Sequence, residues 1–445
     1  MQRAMAHYVP REMAVLGLVE LTVSFLVIQA MIAMSGTPSW LAGVAGTMPG
    51  ASLAPAALIA VSIGAIGLPI GLYQPEVCFD CRRLLPAVAL AAVLLLGIML
   101  LFGGSFTRGH AIETARLCAA GLATMVLVRL VWRLDIIRRL LVRPVLVLGG
   151  EGEVAAFRLR LQGRRGRNFD AVTMAADQVS LPALRQRRIW GVVVTSTLDG
   201  TAADATLDCK MLGLPVLTSE EFHETYLGRV DLDALTADRF LAGDRHSRGR
   251  VSAGVKRLCD IVIGSLMLVL ALPAMVSAAV AIKLDSPGPV FYRQERVGRF
   301  GKTFTIFKFR SMTVNAEACG KPRWAQKEDP RVTRVGRFIR ASRIDELPQL
   351  ANIIRGDMSL VGPRPERPHF VEQLARAIPF YHQRAYVKPG LTGWAQVNYP
   401  YGASVEDARE KLAYDLFYVK HRTVWLDLVT LLSTVRVVLF RDGAR

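Results

Sequence analysis

Asp345 and Glu346 are adjacent carboxylates in a stretch, Arg340 to Pro365, that also holds Arg343, Arg355 and Arg364. Pro348 marks the start of a helix, because a proline ring is tolerated only in a first turn, where its missing N–H would be unpaired anyway. That predicts Asp345 at or near the N-cap and Glu346 in the first turn. Leu347, Leu350, Ala351 and Ile354 then recur at helical spacing, and Gly356 suits the C-terminal stop. An aspartate in that place feels the positive end of the helix dipole, which favours its ionised form. An ionised carboxylate ligates a hard cation such as Mg2+ or attacks phosphorus, and arginines present forked donors to phosphate oxygens. The ordinary alternative for the pair by itself is a capped surface helix with solvated ion pairs.

The neighbouring segments lean towards phosphate. Arg331, Arg334, Arg337 and Arg340 recur at three-residue steps and lead into the pair. That spacing lines one side of a helix, either as a solvated basic face or as a phosphate wall. Lys308 and Arg310 close a strand, Phe304 to Arg310, that forms a hairpin with Phe291 to Arg296 around Gly298 and Gly301. Pro363 and Pro365 hold Arg364 on a stiff turn. Tyr386 to Asn398 reads as an ordered loop, with Trp394 expected at a membrane interface. Val405 to His421 and Trp425 to Phe440 read as helices. The second has a broad apolar face and either lies on a bilayer surface or packs into its domain.

These residues must be positioned by a membrane protein. The chain has 445 residues, a net charge of +18 and 52% hydrophobic content, with long apolar runs in its first third and again near residue 260. The charge implies anionic partners, whether phosphates, nucleotides or acidic headgroups. No nucleic-acid-binding motif is present, so nucleic acid is not an expected partner. Cys78 and Cys81 form a lone Cys-x-x-Cys, expected as ordinary reduced thiols rather than a zinc site. Met1 to Glu12 is polar and the run behind it is long enough to span, so no cleavable signal is expected.

Residues 1–143 are expected to form a four-helix transmembrane bundle, with spans Met13 to Met34, Leu53 to Leu72, Leu84 to Phe102 and Ile112 to Trp132. Basic residues at Arg3 and Arg11, Arg82 and Arg83, and from Arg133 onward put both ends of the bundle in the cytoplasm. Glu20 lies inside the first span, and Glu113 and Arg116 near the start of the fourth are expected in a polar pair with Glu20 or Gln29, with a transport role as the alternative. Residues 144–233 alternate strands and helices: Val145 to Leu148, Ala171 to Met174, Ile189 to Thr195 and Leu214 to Leu217, with helices Val154 to Leu161 and Ser219 to Tyr226. That is a small Rossmann-like α/β domain. Its Gly149-Gly-x-Gly152 reads as structural turn glycines, since the full dinucleotide fingerprint is absent. Residues 234–250 are an Arg-rich linker. Residues 251–284 carry an apolar run with cations on both flanks and Pro273 in its middle. A proline breaks a helix and flanking cations disfavour crossing, so a re-entrant helix pair broken at Pro273 is expected, with a kinked span as the alternative. Residues 285–445 carry the carboxylate pair, and the likeness of their motifs to a known family implies that they form a compact α/β catalytic domain.

The C-terminal part, about Lys256 to Phe440, resembles the bacterial sugar transferases, the polyprenyl-phosphate hexose-1-phosphate or monotopic phosphoglycosyl transferases. The motifs that carry the likeness are Ser286-Pro-Gly-Pro-Val-Phe, Lys308-Phe-Arg-Ser-Met, Asp345-Glu-Leu-Pro-Gln-Leu, Gly356-Asp-Met-Ser-Leu-Val-Gly-Pro-Arg-Pro and Lys388-Pro-Gly-Leu-Thr-Gly-Trp-Ala-Gln-Val. The four spans and the Rossmann-like domain resemble the long form of that family, and Asn398-Tyr-Pro-Tyr-Gly-Ala its exosortase-associated exopolysaccharide branch. The resemblance implies transfer of a sugar 1-phosphate from a UDP-sugar to undecaprenyl phosphate at the cytoplasmic leaflet of the inner membrane, with release of UMP. It implies Asp345 as the nucleophile that forms a phospho-sugar intermediate, and Glu346 as metal or acid/base partner. It further implies Mg2+ at Asp345 and Glu346, and Lys308, Arg310, Arg334, Arg340 and Arg364 around the phosphates. Small members often carry Ser-Pro at the helix break, where this chain has Leu272-Pro273.

Two other classes compete. A membrane-bound NAD-dependent nucleotide-sugar dehydratase would need a fuller glycine finger and a Tyr-x-x-x-Lys pair, and no such pair occurs. A non-catalytic membrane scaffold is the third reading. The sugar, the ligand of the middle domain and a homo-oligomeric state are left open by the sequence.

Overall fold

The structure is a computed structural model that describes residues 11–35, 53–73, 75–78, 81–102, 108–132, 142–161, 166–174, 179, 181–195, 200–211, 213–236, 238, 250–314, 329–400, 402 and 404–439. The chain divides into two compact units, Met1–Leu227 and Gly228–Arg445.

In the first unit, apolar sequence forms α1 (Arg11–Ser35), α2 (Leu53–Ile70), α3 (Cys81–Phe102) and α4 (Arg108–Trp132), close to the expected spans. Among the described residues, Met13–Met34, Ala115–Trp132 and Ala253–Asp285 are long and apolar enough to cross a membrane, and Ala56–Ile70 and Leu84–Leu95 are shorter apolar helices. Helices α1 and α4 run antiparallel. Met13 and Leu16 pack with Val128 and Trp132, and the Ser24 hydroxyl lies 3.4 Å from the Gly121 carbonyl.

That register corrects the expected partner of Glu20. Its carboxylate accepts from Arg129 Nε at 2.5 Å and Nη2 at 3.0 Å, while Nη1 donates to the Leu72 carbonyl at 2.7 Å. Arg116 is exposed and the Glu113 side chain lies outside the described residues. In an antiparallel pair, a residue near the start of one helix is level with one near the end of the other, so Glu20 meets Arg129 rather than a residue at the start of α4. Of the basic residues that set the expected orientation, Arg11 begins α1, Arg82 and Arg83 lie in the first turn of α3 and Arg143 begins the strand that follows, while Arg3, Arg133, Arg138 and Arg139 lie outside the described residues. Cys78 is a buried thiol.

The rest of this unit is a four-stranded parallel sheet of order β2-β1-β3-β4: β1 Arg143–Leu148, β2 Phe169–Val172, β3 Gly191–Val194 and β4 Val216–Thr218. Alternate residues serve opposite faces. Val145, Val147 and Val193 pack with Phe157 and Phe222, and Leu146, Leu148 and Val192 with Leu184 and Cys209. Helix α5 (Glu151–Leu161) follows β1. Gly149 lies against Thr195, whose hydroxyl donates to Glu153 at 2.8 Å, and a side chain on Gly149 would overlap it. A carboxylate thus already occupies the first turn where a phosphate would bind, in keeping with turn glycines.

In the second unit, Gly228 to Asp233 is strapped to the body of that unit. Val230 N donates to the Ala413 carbonyl at 3.0 Å, and Arg229 grips Glu410 through both Nη atoms at 2.6 and 2.9 Å. Most of the expected linker lies outside the described residues.

A single helix, α6, then runs over Arg250–Asp285 with Pro273 inside it. The expected helix pair is therefore one element: proline removes one backbone bond and strains the turn, but flanking turns continue the helix. Its contacts with the body fall on one stripe. Arg257 donates to the carbonyls of Ile353 and Ile354, Asp260 accepts from Ser359 Oγ and Leu360 N, and Ala278 and Ile282 pack with Phe309 and Ile339. At 3.6 residues per turn these positions share a face. The opposite side exposes Val262, Leu266, Val269, Leu270 and Val276. Both ends of α6 thus hold the same body.

That body contains an antiparallel hairpin, β5 (Phe291–Val297) with β6 (Thr303–Phe309), paired Phe291↔Phe309 through Val297↔Thr303. Helix α7 (Arg334–Ala341), a 3-10 turn at Ile344–Glu346 and α8 (Gln349–Arg355) follow. Strand β7 (Ser359–Val361) pairs in parallel with β8 (Gly390–Thr392). Helices α9 (Pro368–Ala377), α10 (Trp394–Asn398), α11 (Val405–His421) and α12 (Val424–Leu439) complete the unit. Trp394 is not at an interface with lipid. It is 1% exposed, and its indole N–H donates to the Gly228 carbonyl at 2.7 Å. Helix α12 buries Leu426, Val429, Thr430 and Ser433 on one side and exposes Leu428, Val435 and Val438.

Candidate active site

The carboxylate pair sits in a 3-10 turn, not at the cap of α8. The N-cap of α8 is Pro348, three residues beyond Asp345. Arg343 takes the left-handed conformation, φ 59°, and this turns the chain sharply between α7 and the pair. A non-glycine residue in that region carries strain and is a mark of function. Gly356 ends α8 in the left-handed region at φ 103°, as expected. Of the predicted helical stripe, Leu350 is buried but Ala351 is exposed, and Asn352 and Ile353 are buried in its stead.

Asp345 and Glu346 line a cavity of about 790 Å3 within the second unit. Its wall includes Lys308, Arg310, Arg340, Arg343, Arg364 and Arg384, together with apolar residues of α6, α9 and α12. Glu346 is clamped: Oε1 accepts from Arg364 Nη2 at 2.7 Å and Lys308 Nζ at 3.2 Å, with Arg343 Nη1 at 3.8 Å. Burial opposes its charge, but Arg364, Lys308 and Arg343 outweigh that and hold its carboxyl well below the usual range. Asp345 differs. It is 9% exposed and accepts no hydrogen bond from the described residues. Burial, and then the charge of Glu346, push its carboxyl up to about 6. Burial lowers the Lys308 amine. One carboxylate is tied down and the other stands free over the cavity.

The remaining predicted residues separate. Arg340 lines the cavity, and its guanidinium makes no hydrogen bond or ion pair with the described residues. Arg310 also lines it, but its guanidinium is spent on the backbone: Nη1 donates to Pro287 O at 2.8 Å and Nη2 to Ser286 O at 2.7 Å. It holds the turn that ends α6. Arg334 is exposed and does not line the cavity, and Arg337 is exposed too. Three-residue steps advance 300° around a helix, so each arginine falls 60° from the one before and the row fans out. Arg331 is locked to Asp329 at 2.8 Å. Pro273 lies within α6 and away from the cavity wall.

Sequence reasoning missed Arg384. Its Nη1 donates to Tyr381 at 2.7 Å, and its Nη2 to Asp415 at 2.8 Å and to the Arg364 carbonyl at 3.0 Å. The Tyr381 and Arg384 spacing on one turn was the available signal, but Asp415 lies 31 positions further on. The loop that carries Arg364 is also closed from behind, where Gly362 N donates to Thr392 O and Gly390 N to Pro363 O, both at 2.9 Å.

A metal position can be judged from the donors. Among the described residues there is no cluster of three or more His, Cys, Asp or Glu side chains. The two carboxylates are hard oxygen donors, and that of Asp345 has room for a further partner. Such a pair fits Mg2+, which keeps several waters and completes its shell with substrate phosphates.

Residues 251–441 match the bacterial sugar transferase family. A relative from Caulobacter vibrioides, named UDP-glucose:undecaprenyl-phosphate glucose-1-phosphate transferase, is 45% identical over 191 residues, 42% of this chain and 71% of the relative. The chain belongs to the bacterial sugar transferase family. A relative from Aeromonas hydrophila, named UDP-N-acetylgalactosamine-undecaprenyl-phosphate N-acetylgalactosaminephosphotransferase, is 41% identical over 269 residues, 60% of this chain and 63% of the relative. One from Xanthomonas campestris pv. campestris, named UDP-glucose:undecaprenyl-phosphate glucose-1-phosphate transferase, is 44% identical over 186 residues, 41% of this chain and 38% of the relative. The sugar transferase chain thus spans less than two thirds of the length of these last two relatives, and the relatives' names carry different sugars.

Proposed function

We propose that this sugar transferase moves a sugar 1-phosphate from a UDP-sugar to undecaprenyl phosphate, releasing UMP. The observation that carries the reading is the free, buried carboxylate of Asp345 beside a clamped Glu346 in a cation-lined cavity. Asp345 attacks the β-phosphorus, a bond forms between its carboxylate oxygen and phosphorus, and the bond to the bridging oxygen breaks as UMP leaves with that electron pair. The phosphate oxygen of the lipid then attacks the same phosphorus and frees the aspartate. Two easier displacements replace one between two large anions. Glu346 keeps Lys308 and Arg364 turned to the reacting phosphate, and Arg340 and Arg343 offer further cationic donors to its oxygens. Mg2+ held by Asp345 and Glu346 would supply extra neutralisation of the phosphate charge.

The relatives' names support the two substrates, and the apolar helices support a membrane setting. On this reading the catalytic unit faces the cytoplasm of the inner membrane, where UDP-sugars are made, and the product begins an exopolysaccharide. That α6 stays on one side of the bilayer rather than crossing it belongs to the same reading, and the contact of both its ends with one body supports it. A dehydratase reading is not favoured.

The test is UMP release from a panel of UDP-sugars by purified protein with Mg2+ and no lipid. Wild type releases UMP with the cognate sugar, and Asp345→Asn releases none. Substantial turnover by Asp345→Asn would rule out the nucleophile.

A further inference from the structure

The cavity has an end that the chemistry at Asp345 does not use. Met267 of α6 lines it, as do Leu431, Thr434, Val437 and Val438 of α12. Met267 is 36% exposed and Val438 43% exposed, so the wall reaches the outside there. The outer surface at that end is also apolar. On a helical wheel Val437, Thr434, Val438, Leu431, Val435 and Leu428 follow one another around α12. The first four line the cavity, and the last two are exposed beside them. On α6, the exposed Leu270 lies next to Met267 on the same wheel. One apolar surface thus runs from inside the cavity to the outer faces of two helices, and neither face has a protein partner among the described residues.

We infer that this end is a lateral portal, and that it seats the first isoprene units of a polyprenyl phosphate between Met267 of α6 and the Leu431–Val438 stripe of α12. The occupant follows from the two ends of the cavity. One is cationic, with Lys308, Arg340, Arg343 and Arg364, and takes an anionic head. The other is apolar and open, and takes a chain that cannot be placed in water. An amphiphile with a phosphate head and a long hydrocarbon tail complements both. A nucleotide sugar complements only the first. For a chain already in the bilayer the portal adds position rather than affinity: it aims the phosphate at the reacting centre without lifting the tail through water.

The inference rests on the proposed transfer to a polyprenyl phosphate. The test is the chain-length preference of the full-length protein in nanodiscs, as the ratio of kcat/KM for an eleven-isoprene phosphate over a two-isoprene phosphate. Val438→Asp and Met267→Glu, which put a charge on each jamb of the portal, are expected to lower that ratio at least tenfold. Val438→Ala, a milder change, is expected to lower it two- to fivefold. Because the measure is a ratio, a general loss of activity cancels. In wild type, a polyprenyl phosphate bearing a diazirine on its second isoprene is expected to label the 431–438 peptide, which requires no variant. An unchanged ratio in all three variants would overturn the portal. So would equal labelling of that peptide by a phospholipid bearing a diazirine at matching depth. Absence of transfer to either phosphate by wild type would instead overturn the reading on which the portal rests.

Discussion

Glu346 and Asp345 are neighbours in sequence and opposites in setting. Glu346 collects Arg364 and Lys308 on one oxygen, so removing its charge leaves two part-buried cations side by side. Breaking such a group costs several kcal/mol locally and displaces its members. Glu346→Gln is therefore expected to lower kcat for UMP release at least a hundredfold, with Arg364→Ala within about tenfold of it, since each removes half of one contact. Arg340 has no such structural duty among the described residues. Arg340→Ala is expected to raise KM for the UDP-sugar five- to fiftyfold, in the range of one charge-assisted hydrogen bond of about 1.5–3 kcal/mol, and to leave the melting temperature within about 2 °C. Steady-state kinetics and thermal unfolding separate the two kinds of residue. Arg310, by contrast, is expected to act on stability: Arg310→Ala frees the Ser286 and Pro287 carbonyls and the end of α6, and lowers the melting temperature.

Elements place these side chains, and some do so through glycines that admit no substitute. Gly336 lies in the first turn of α7, where Thr333 caps the helix by accepting from its N–H at 2.9 Å. A methyl group there would overlap the Ser311 carbonyl, so α7 must shift, and with it Arg340 and the turn at Arg343. Gly336→Ala is expected to cost about 1–3 kcal/mol by overpacking and to reduce turnover more than tenfold. Denaturant unfolding beside the UMP assay checks both. In the first unit, α1 and α4 are held by Glu20 and Arg129, 3% and 0% exposed. Glu20→Ala strands a buried guanidinium and is expected to destabilise the helices by about 3–5 kcal/mol, whereas the double variant Glu20→Gln with Arg129→Met recovers most of that loss. Melting in detergent, followed by circular dichroism, reads the difference.

At the scale of the whole molecule, two forces act on the same chain. The net charge of +18 attracts anionic lipid, a force that salt screens within about 10 Å at 0.1 M. The apolar faces of α1, α4 and α6 are indifferent to salt. Membrane fractions washed with 1 M salt are therefore expected to retain the protein, and only detergent is expected to release it. Release by salt alone would show that charge, not apolar surface, holds it.

The sequence by itself determined most of the elements and the family. Apolar runs and period-two strands announce local structure because each depends on neighbours a few positions away, and Asp345-Glu346 with its flanking motifs carried the family. The tertiary structure decided who meets whom. Glu20 found Arg129, not Arg116, through the antiparallel register of two helices 97 residues apart at Ser24 and Gly121. Arg384, marked in sequence only by its one-turn spacing from Tyr381, became the brace of Arg364, while Arg334 was turned outward by the 60° drift of a three-residue step. Trp394 was buried under Gly228, and α6 continued through Pro273. The partners of Glu20, Arg384 and Trp394 depend on contacts between distant segments, and such contacts leave no spacing pattern in the chain.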